Sequence, residues 1–490
     1  MNLAQIVALH GRYRADHPAM EDGARVITYA DLDLMVRRIA GRLKAHGVVA
    51  GDLVGLQLRD RPEHVAAMLA VAWCGATSLP FDWRWRPAEV ARAITRFFPR
   101  LLVAEAAVVG AVPVMTLDDL DSASADGTPP AAVEDAPFIY SLSSGTTGEP
   151  KAAVITHEAT IARGVVNGIE LPIPRDDRFL MSSPIAYGAG RQQALSRLML
   201  GTTLVFFPTL FEPEELVAVV ASRHIHTVMA VPVVTRALLR LPSPAAGPLL
   251  RGVRLFMSSG ASIQIEEKQA IRAKLAPLLV DVFASIGGGL ISYSHNRDQD
   301  LAPASVGRPA LGVEVEIVDD GGRPLPVGDN GWLRVRGPGM ARELIGAVAG
   351  SDERIENGWS YSGDKGRLDA AGFLYLEGRS SEIIKRGGTT IHAAEVERAL
   401  AQHAAVVEAA VVGVPDRDLG EIVAAFVVLG APATAPELVI HCRRLLAPHK
   451  IPQQIVMLDS LPRNASGKVV KAALLERLGG AEPSAGPGRP

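Results

Sequence analysis

The stretch Ser143-Ser144-Gly145-Thr146-Thr147-Gly148-Glu149-Pro150-Lys151 constrains this chain more than any other. It sets four hydroxyls, two glycines and a lysine within nine residues. Glycine lets a backbone turn sharply and bring its N–H groups close to a ligand. Successive N–H groups, hydroxyl donors and one ammonium make a site for an anion with many oxygens, above all a phosphate chain. The string is not a Walker A loop, which needs G-x4-G-K-[ST] opening directly into a helix. Counted from Gly145, Pro150 stands where the second glycine belongs, and Ala152 follows the lysine. The flanks Phe138–Leu142 and Ala153–Ile155 are short runs suited to strands, so the loop is expected to join two strands. A Ser/Thr/Gly-rich hairpin tip is the plain alternative, and the specificity of the string favours a functional loop.

At 490 residues the chain is too long for one ordinary domain. Apolar residues make up 48% and charged residues 21%, an ordinary globular balance. A formal charge of -3 offers no basic surface for nucleic acid. Cys74 and Cys442 lie far apart and form no CxxC, which excludes a disulfide framework and fits a reducing cytoplasm. The N-terminus has no basic segment ahead of an apolar core. The longest uncharged run, Val65–Phe81, is interrupted by Gly75, Thr77, Ser78 and Pro80 and is short for a bilayer. A soluble, cytoplasmic protein without a membrane span is expected.

Helix-like and strand-like patterns alternate along the chain, which argues for an α/β architecture. A helix is expected from Thr28 to about His46, a strand at Leu53–Leu58 and a helix at Pro62–Trp73. Asp82-Trp83-Arg84-Trp85-Arg86-Pro87 alternates aromatics with arginines, and on an acidic protein this reads as a structural loop rather than a base-stacking one. His224-Ile225-His226 would place two imidazoles on one strand face. With no further ligand at metal spacing they read as structural. After Gly378-Arg379-Ser380-Ser381 comes an α+β pattern of about a hundred residues, with helices near Ala393–His403 and Pro436–Leu446 and strands near Val406–Val414 and Ile422–Leu429. The expected division is 1–379, 380–478 and a disordered Gly/Pro-rich tail, 479–490.

The phosphate-loop string resembles that of the adenylate-forming superfamily, which holds acyl-CoA synthetases, luciferases and the adenylation domains of nonribosomal peptide synthetases. Two further strings carry the same resemblance. Tyr361-Ser362-Gly363-Asp364, followed by Asp369 to Arg379, resembles the ribose-binding motif, and Pro462-Arg463-Asn464-Ala465-Ser466-Gly467-Lys468 the C-terminal catalytic motif. The resemblance spans about Thr28 to Leu475. It implies a large N-terminal α/β domain and a smaller mobile α+β lid, and ATP, Mg2+ and CoA as cofactors. The implied reaction activates a carboxylic acid as its acyl-adenylate and transfers the acyl group to CoA.

On this resemblance Ser143, Ser144, Gly145, Thr146, Thr147, Gly148 and Lys151 grip the nucleotide phosphates, and Thr147 also contacts the metal. Asp364 accepts from the ribose hydroxyls, and Arg379 contacts the nucleotide. Lys468 bridges substrate carboxylate and α-phosphate as a compact point charge; Thr147 and Lys151 act with it. Gly387 and Gly388 face the thiol tunnel once the lid has rotated about a hinge at Ser381, where many relatives carry Asp or Lys. The acid pocket is implied between Tyr187, Gly190 and Arg191, Ser259 and Gly260, and Ile286, Gly287 and Gly288. It is expected to be mostly apolar. Arg191 either pairs with a second polar group on the acid or points from a helix face to solvent. No Asp or Glu lies between Asp177 and Glu212 to hold a substrate ammonium, so a free amino acid is not expected.

The chain departs from the family at Val282–Ser292, where relatives read roughly YGSTE-x-G. Alignment sets Phe283 at the Tyr, Ala284 at the Gly, Ile286 at the Thr and Gly287 at the metal-binding Glu. Mg2+ prefers octahedral oxygen coordination and keeps several waters beside substrate phosphates, so Thr147 and phosphate oxygens would carry more of its positioning. Two alternatives stay open beside the acid–CoA ligase: an adenylating enzyme that loads a carrier-protein thiol, and a relative that binds nucleotide or acid without turnover.

Overall fold

The structure is a computed structural model describing residues 1–105, 112–118, 123–128, 130–131, 135–143, 150–261, 263–346, 353–379, 382–386, 389–464 and 467–479. Of the expected site residues, Ser144, Gly145, Thr146, Thr147, Gly148, Ser381, Gly387 and Gly388 lie outside this set, as does the side chain of Ser143. The expected tail lies outside it too beyond Gly479, where the last described helix, Lys471–Gly479, ends.

Four sheets organise the described residues. A nine-stranded sheet has a parallel centre running from Leu278–Ser285 through Leu255–Ser259, Thr227–Ala230, Arg178–Met181 and Thr203–Phe206 to Pro18–Asp22, with antiparallel strands at both edges. A seven-stranded sheet centres on Thr77–Pro80 and Leu53–Gln57 and includes the antiparallel pair Pro137–Ser143 and Lys151–Thr156, with Glu343–Ile345 at the edge beyond it. The phosphate loop therefore joins two strands, as the sequence leads one to expect, with Ser143 opposite Lys151.

The helix Pro62–Trp73 starts and ends where the pattern places it, with proline at the first turn. All of its residues except Glu63 are buried, because a helix apolar on every side must sit in a core rather than on a surface. Thr28 caps the helix Tyr29–Ala45 by accepting from the Asp31 N–H, and Asp31 returns the bond.

A third, five-stranded sheet carries Trp359–Leu368 paired with Leu374–Arg379. From Glu382 onward a separate sheet, built on Val406–Asp416 against Gly420–Leu429, packs its own core with the helices Ala393–Ala401 and Ala435–Leu445. The chain is thus α/β with a large N-terminal and a smaller C-terminal domain.

His224 is not in a strand. It adopts a left-handed conformation (φ 51°) just after the helix Pro213–Ser222, and the strand begins only at Thr227. The alternation that suggested two imidazoles on one face belongs to a helix-to-strand turn.

Three arginines are buried among the described residues: Arg163, Arg191 and Arg197. Arg197 is paired conventionally. It donates to Asp177 at 2.7 Å, and Asp177 also accepts from the Thr227 hydroxyl at 2.9 Å. This ties the helix Gly188–Met199 to the nine-stranded sheet.

Candidate active site

The antiparallel register of Trp359–Leu368 and Leu374–Arg379 puts Asp364 opposite Arg379. The Arg379 Nε donates to Asp364 Oδ1 at 2.9 Å. Asp364 Oδ2 is buried and has no hydrogen-bond partner among the described residues. A buried carboxylate oxygen without a donor is costly, which leaves this oxygen open to a donor from a ligand. Burial alone would lower the Arg379 pKa, but the charge and hydrogen bond of Asp364, with Glu353 and Glu382, raise it instead.

Lys468 comes to this pair from the small domain. The described residues on either side of its loop are tied together. Lys468 N donates to Asn464 Oδ1 at 3.0 Å, Asn464 N to Lys468 O at 2.9 Å, and Arg463 Nη1 to Gly467 O at 2.6 Å. Gly467 has φ 80°, and a Cβ there would lie 3.1 Å from a methyl of Val231 in the large domain. A glycine therefore serves both the turn and the close approach. Lys468 is solvent-exposed, with Arg379, Asp364, Glu353 and Glu382 near enough to act on its ammonium. Burial lowers its pKa, Arg379 lowers it further, and Asp364, Glu353 and Glu382 act against them. Lys468, Arg379 and Asp364 thus share one electrostatic neighbourhood although they come from two domains.

Lys151 lines a small cleft with Ile286, Leu344 and Glu353. Glu353, the first residue of an edge strand beside Trp359–Leu368, acts on both Arg379 and Lys468. Sequence reasoning missed it, and within a charged run leading into the ribose motif only its cross-strand register marks it out.

The segment 184–187 rests on the loop that holds Trp83 and Trp85. Asp60 accepts from Ile185 N at 2.7 Å and from Trp83 Nε1 at 3.2 Å. Asp82, clasped by Arg84 through two bonds of 2.8 and 2.7 Å, accepts from the Tyr187 hydroxyl. Burial, then Asp82, raises the Tyr187 pKa. The aromatic-arginine loop is structural, and what it supports is the expected acid site. Gly190 is required by space, since a Cβ would come within 2.5 Å of Pro184 O. On the facing side Ser259 donates to Val282 O at 2.9 Å, and Gly260 (φ 95°) lies beside Val231.

Arg191 is not the solvent-facing residue that one reading made it. It is buried, donating through Nη1 to Ala186 O at 2.7 Å and Ile185 O at 3.3 Å and through Nη2 to Ser141 Oγ. It braces the segment 185–186, and these bonds leave it poorly placed for the second reading, a direct pairing with the acid.

Gly287 offers no carboxylate. A Cβ built there would lie 2.8 Å from the Ser360 hydroxyl oxygen. The described residues contain no group of three His, Cys, Asp or Glu side chains that could hold a metal ion.

Comparison with known proteins agrees with this geometry. The AMP-binding enzyme family matches residues 8–344, and the AMP-binding enzyme C-terminal domain matches 395–468. An uncharacterized acyl–CoA ligase of Bacillus subtilis, YhfT, is 32% identical over 94% of this chain and 95% of its own length. Indoleacetate–CoA ligase of Aromatoleum aromaticum is 28% identical over 96% of this chain and 97% of its own. The solved o-succinylbenzoate CoA synthetase of Bacillus subtilis, in complex with its acyl-adenylate intermediate, superimposes with a TM-score of 0.87 at 26% identity. That match covers 97% of this chain and 98% of the other. The chain belongs to the AMP-binding enzyme family and is an adenylate-forming ligase of the acyl-CoA synthetase kind.

Proposed function

We propose that the chain uses ATP to activate an aromatic carboxylic acid and passes the acyl group to CoA, with the residues below in the stated roles. The observation that carries the site assignment is the meeting of Asp364, Arg379 and Lys468, with one buried Asp364 oxygen left for a ligand donor. The aromatic acid is supported by the named substrates of relatives, indoleacetate and o-succinylbenzoate. A free amino acid is disfavoured because no acidic residue lies between Asp177 and Glu212.

In this reading Asp364 Oδ2 accepts from the ribose, and Arg379 holds the carboxylate in place. Lys468 sets its charge where carboxylate and α-phosphate oxygens converge, and Lys151 supports the phosphates from the end of the loop. Negative charge gathers in the transition state, so placed cations and positioning supply the catalysis and no protein nucleophile is needed. Docking of Gly467 on Val231 supports an arrangement in which the small domain is closed for adenylation. Thioester formation then follows a swing about Ser381 that brings Gly387 and Gly388 to the thiol. The protein is cytoplasmic in this reading. Cys74 and Cys442 are both free and buried, and no described helix is long and apolar enough to cross a membrane.

Magnesium, when bound, neutralises charge on the phosphates. The ion would be held mainly by phosphate oxygens, water and Thr147, because Gly287 would contribute no ligand. Gly287→Glu, with Ser360 rotating aside, is expected to lower the Mg2+ concentration for half-maximal rate severalfold. Unchanged Mg2+ dependence and rate would show that position 287 does not limit metal use.

Pyrophosphate exchange dependent on an aromatic acid, followed by mass spectrometry of products with CoA, tests the reaction. The expected result is exchange with aryl acids and an acyl-CoA product. Exchange that yields a thioester only with a carrier protein would replace CoA as acceptor. Absence of exchange with every acid would leave a binding protein.

A further inference from the structure

Of the three buried arginines, Arg163 is the one left without an ionic or multidentate polar partner among the described residues. Arg197 has Asp177, and Arg191 spends its guanidinium on two carbonyls and the Ser141 hydroxyl. Arg163, on the helix His157–Glu170, donates from Nε to Gly339 O at 2.7 Å, and its Nη2 is buried without a partner among the described residues. The residue is only 7% exposed. Burial pulls its pKa to about 10 and that of Arg191 to about 9, and Arg191 also feels the Arg163 charge. Two desolvated cations therefore stand near each other with no carboxylate bonded to either among the described residues. A buried charge without its partner is strongly unfavourable.

Their places in the fold give this pair a direction. Arg191 braces 185–186 on one expected wall of the acid site, and Arg163 lies against the glycine turn on the other. A Cβ on Gly289 would stand 3.1 Å from Arg163 Nε, and one on Gly339 would stand 3.0 Å from its Cγ. Glycine at both positions clears room for an arginine that has no ionic partner among the described residues.

We propose that the acid carries a second anionic group, a carboxylate distal to the one activated, and that the Arg163 guanidinium receives it. The inference rests on the acid-ligase reading and narrows its substrate class. A planar guanidinium matches a carboxylate with two parallel N–H···O bonds, and the orphan Nη2 is the donor such a pair requires. Arg191 contributes field rather than contact.

The test compares 3-phenylpropanoate with its ortho-, meta- and para-carboxylated analogues, in pyrophosphate exchange and in ligand-induced thermal shift. The full-length protein, Arg163→Lys and Arg163→Met are each measured. The native protein is expected to favour at least one diacid over the monoacid by tenfold or more in kcat/KM. Arg163→Met should cut that ratio at least tenfold, chiefly through KM, and remove the extra thermal shift given by the diacid. Arg163→Lys should keep part of both. Preference of the native protein for the monoacid, or an unchanged ratio in Arg163→Met, would overturn the inference and leave the ligase reading standing. So would a large fall in the melting temperature of both unliganded variants, which would make Arg163 a strut rather than a receptor. No exchange with any acid, mono or di, would overturn the ligase reading and this inference with it.

Discussion

Lys468→Ala is expected to slow acyl-adenylate formation by about 10²–10³-fold, the usual loss when one placed charge-stabilising donor is removed from an active site. The fold should be unaffected, because the side chain is solvent-accessible and the loop is held by Asn464, Arg463 and the Gly467 turn rather than by the ammonium. Pyrophosphate exchange reads the adenylation step, and CoA acylation from a synthetic acyl-adenylate reads the second step. In the proposed cycle only the first needs Lys468, so the second should stay within a few-fold of the native rate. Equal losses in both steps would remove Lys468 from its assigned role. The pH profile gives a second check. Burial and Arg379 lower the Lys468 pKa, and the protonated form is the active one. The exchange rate should therefore fall with rising pH before an ordinary lysine would deprotonate. Lys468→Arg, whatever its absolute rate, should move that alkaline fall upward.

Asp364→Ala is expected to reduce kcat/KM for ATP by about 10²–10⁴-fold, since hydrogen bonds to a charged acceptor contribute about 1.5–3 kcal/mol each and two ribose donors are lost. The change also takes from Arg379 its 2.9 Å partner beside Lys468. Two cations then face each other with less negative charge between them, which should push the alkaline limit of the rate still lower. Asp364→Asn preserves shape while removing charge and one acceptor, so it should fall between the two. ATP titrations of initial rate decide the matter. If ATP dependence in Asp364→Ala matches the native enzyme, the ribose is held elsewhere.

Much of the fold was readable because local signals agreed with one another. Pro62 at the first turn, an unbroken apolar run and the Cys74-Gly75 exit define one helix to the residue. The Thr28 capping box defines the start of another. Short apolar flanks announced that the phosphate loop joins strands. The motif strings named Asp364, Arg379 and Lys468, but their meeting depends on strand register and domain docking, which no local pattern encodes. The same reason hid the support of Tyr187 by Asp82, a contact between a loop and a helix cap far apart in the chain. It also hid Glu353, whose importance comes from an edge strand laid beside the ribose motif. At 224–226, alternation misled because a left-handed residue ends a helix there before the strand begins.

Val231 connects two matters usually treated apart. One of its methyls lies 3.5 Å from where Gly260 would carry a side chain, and the other lies 3.1 Å from the same point on Gly467. A single isopropyl group thus touches both the loop that carries Lys468 and the Gly260 turn that the proposed function makes a wall of the acid site. Any change in its volume moves both at once. If the proposed acid site holds, acid shape and domain closure become one variable, and an engineer who reshapes the first by way of Val231 will retune the second.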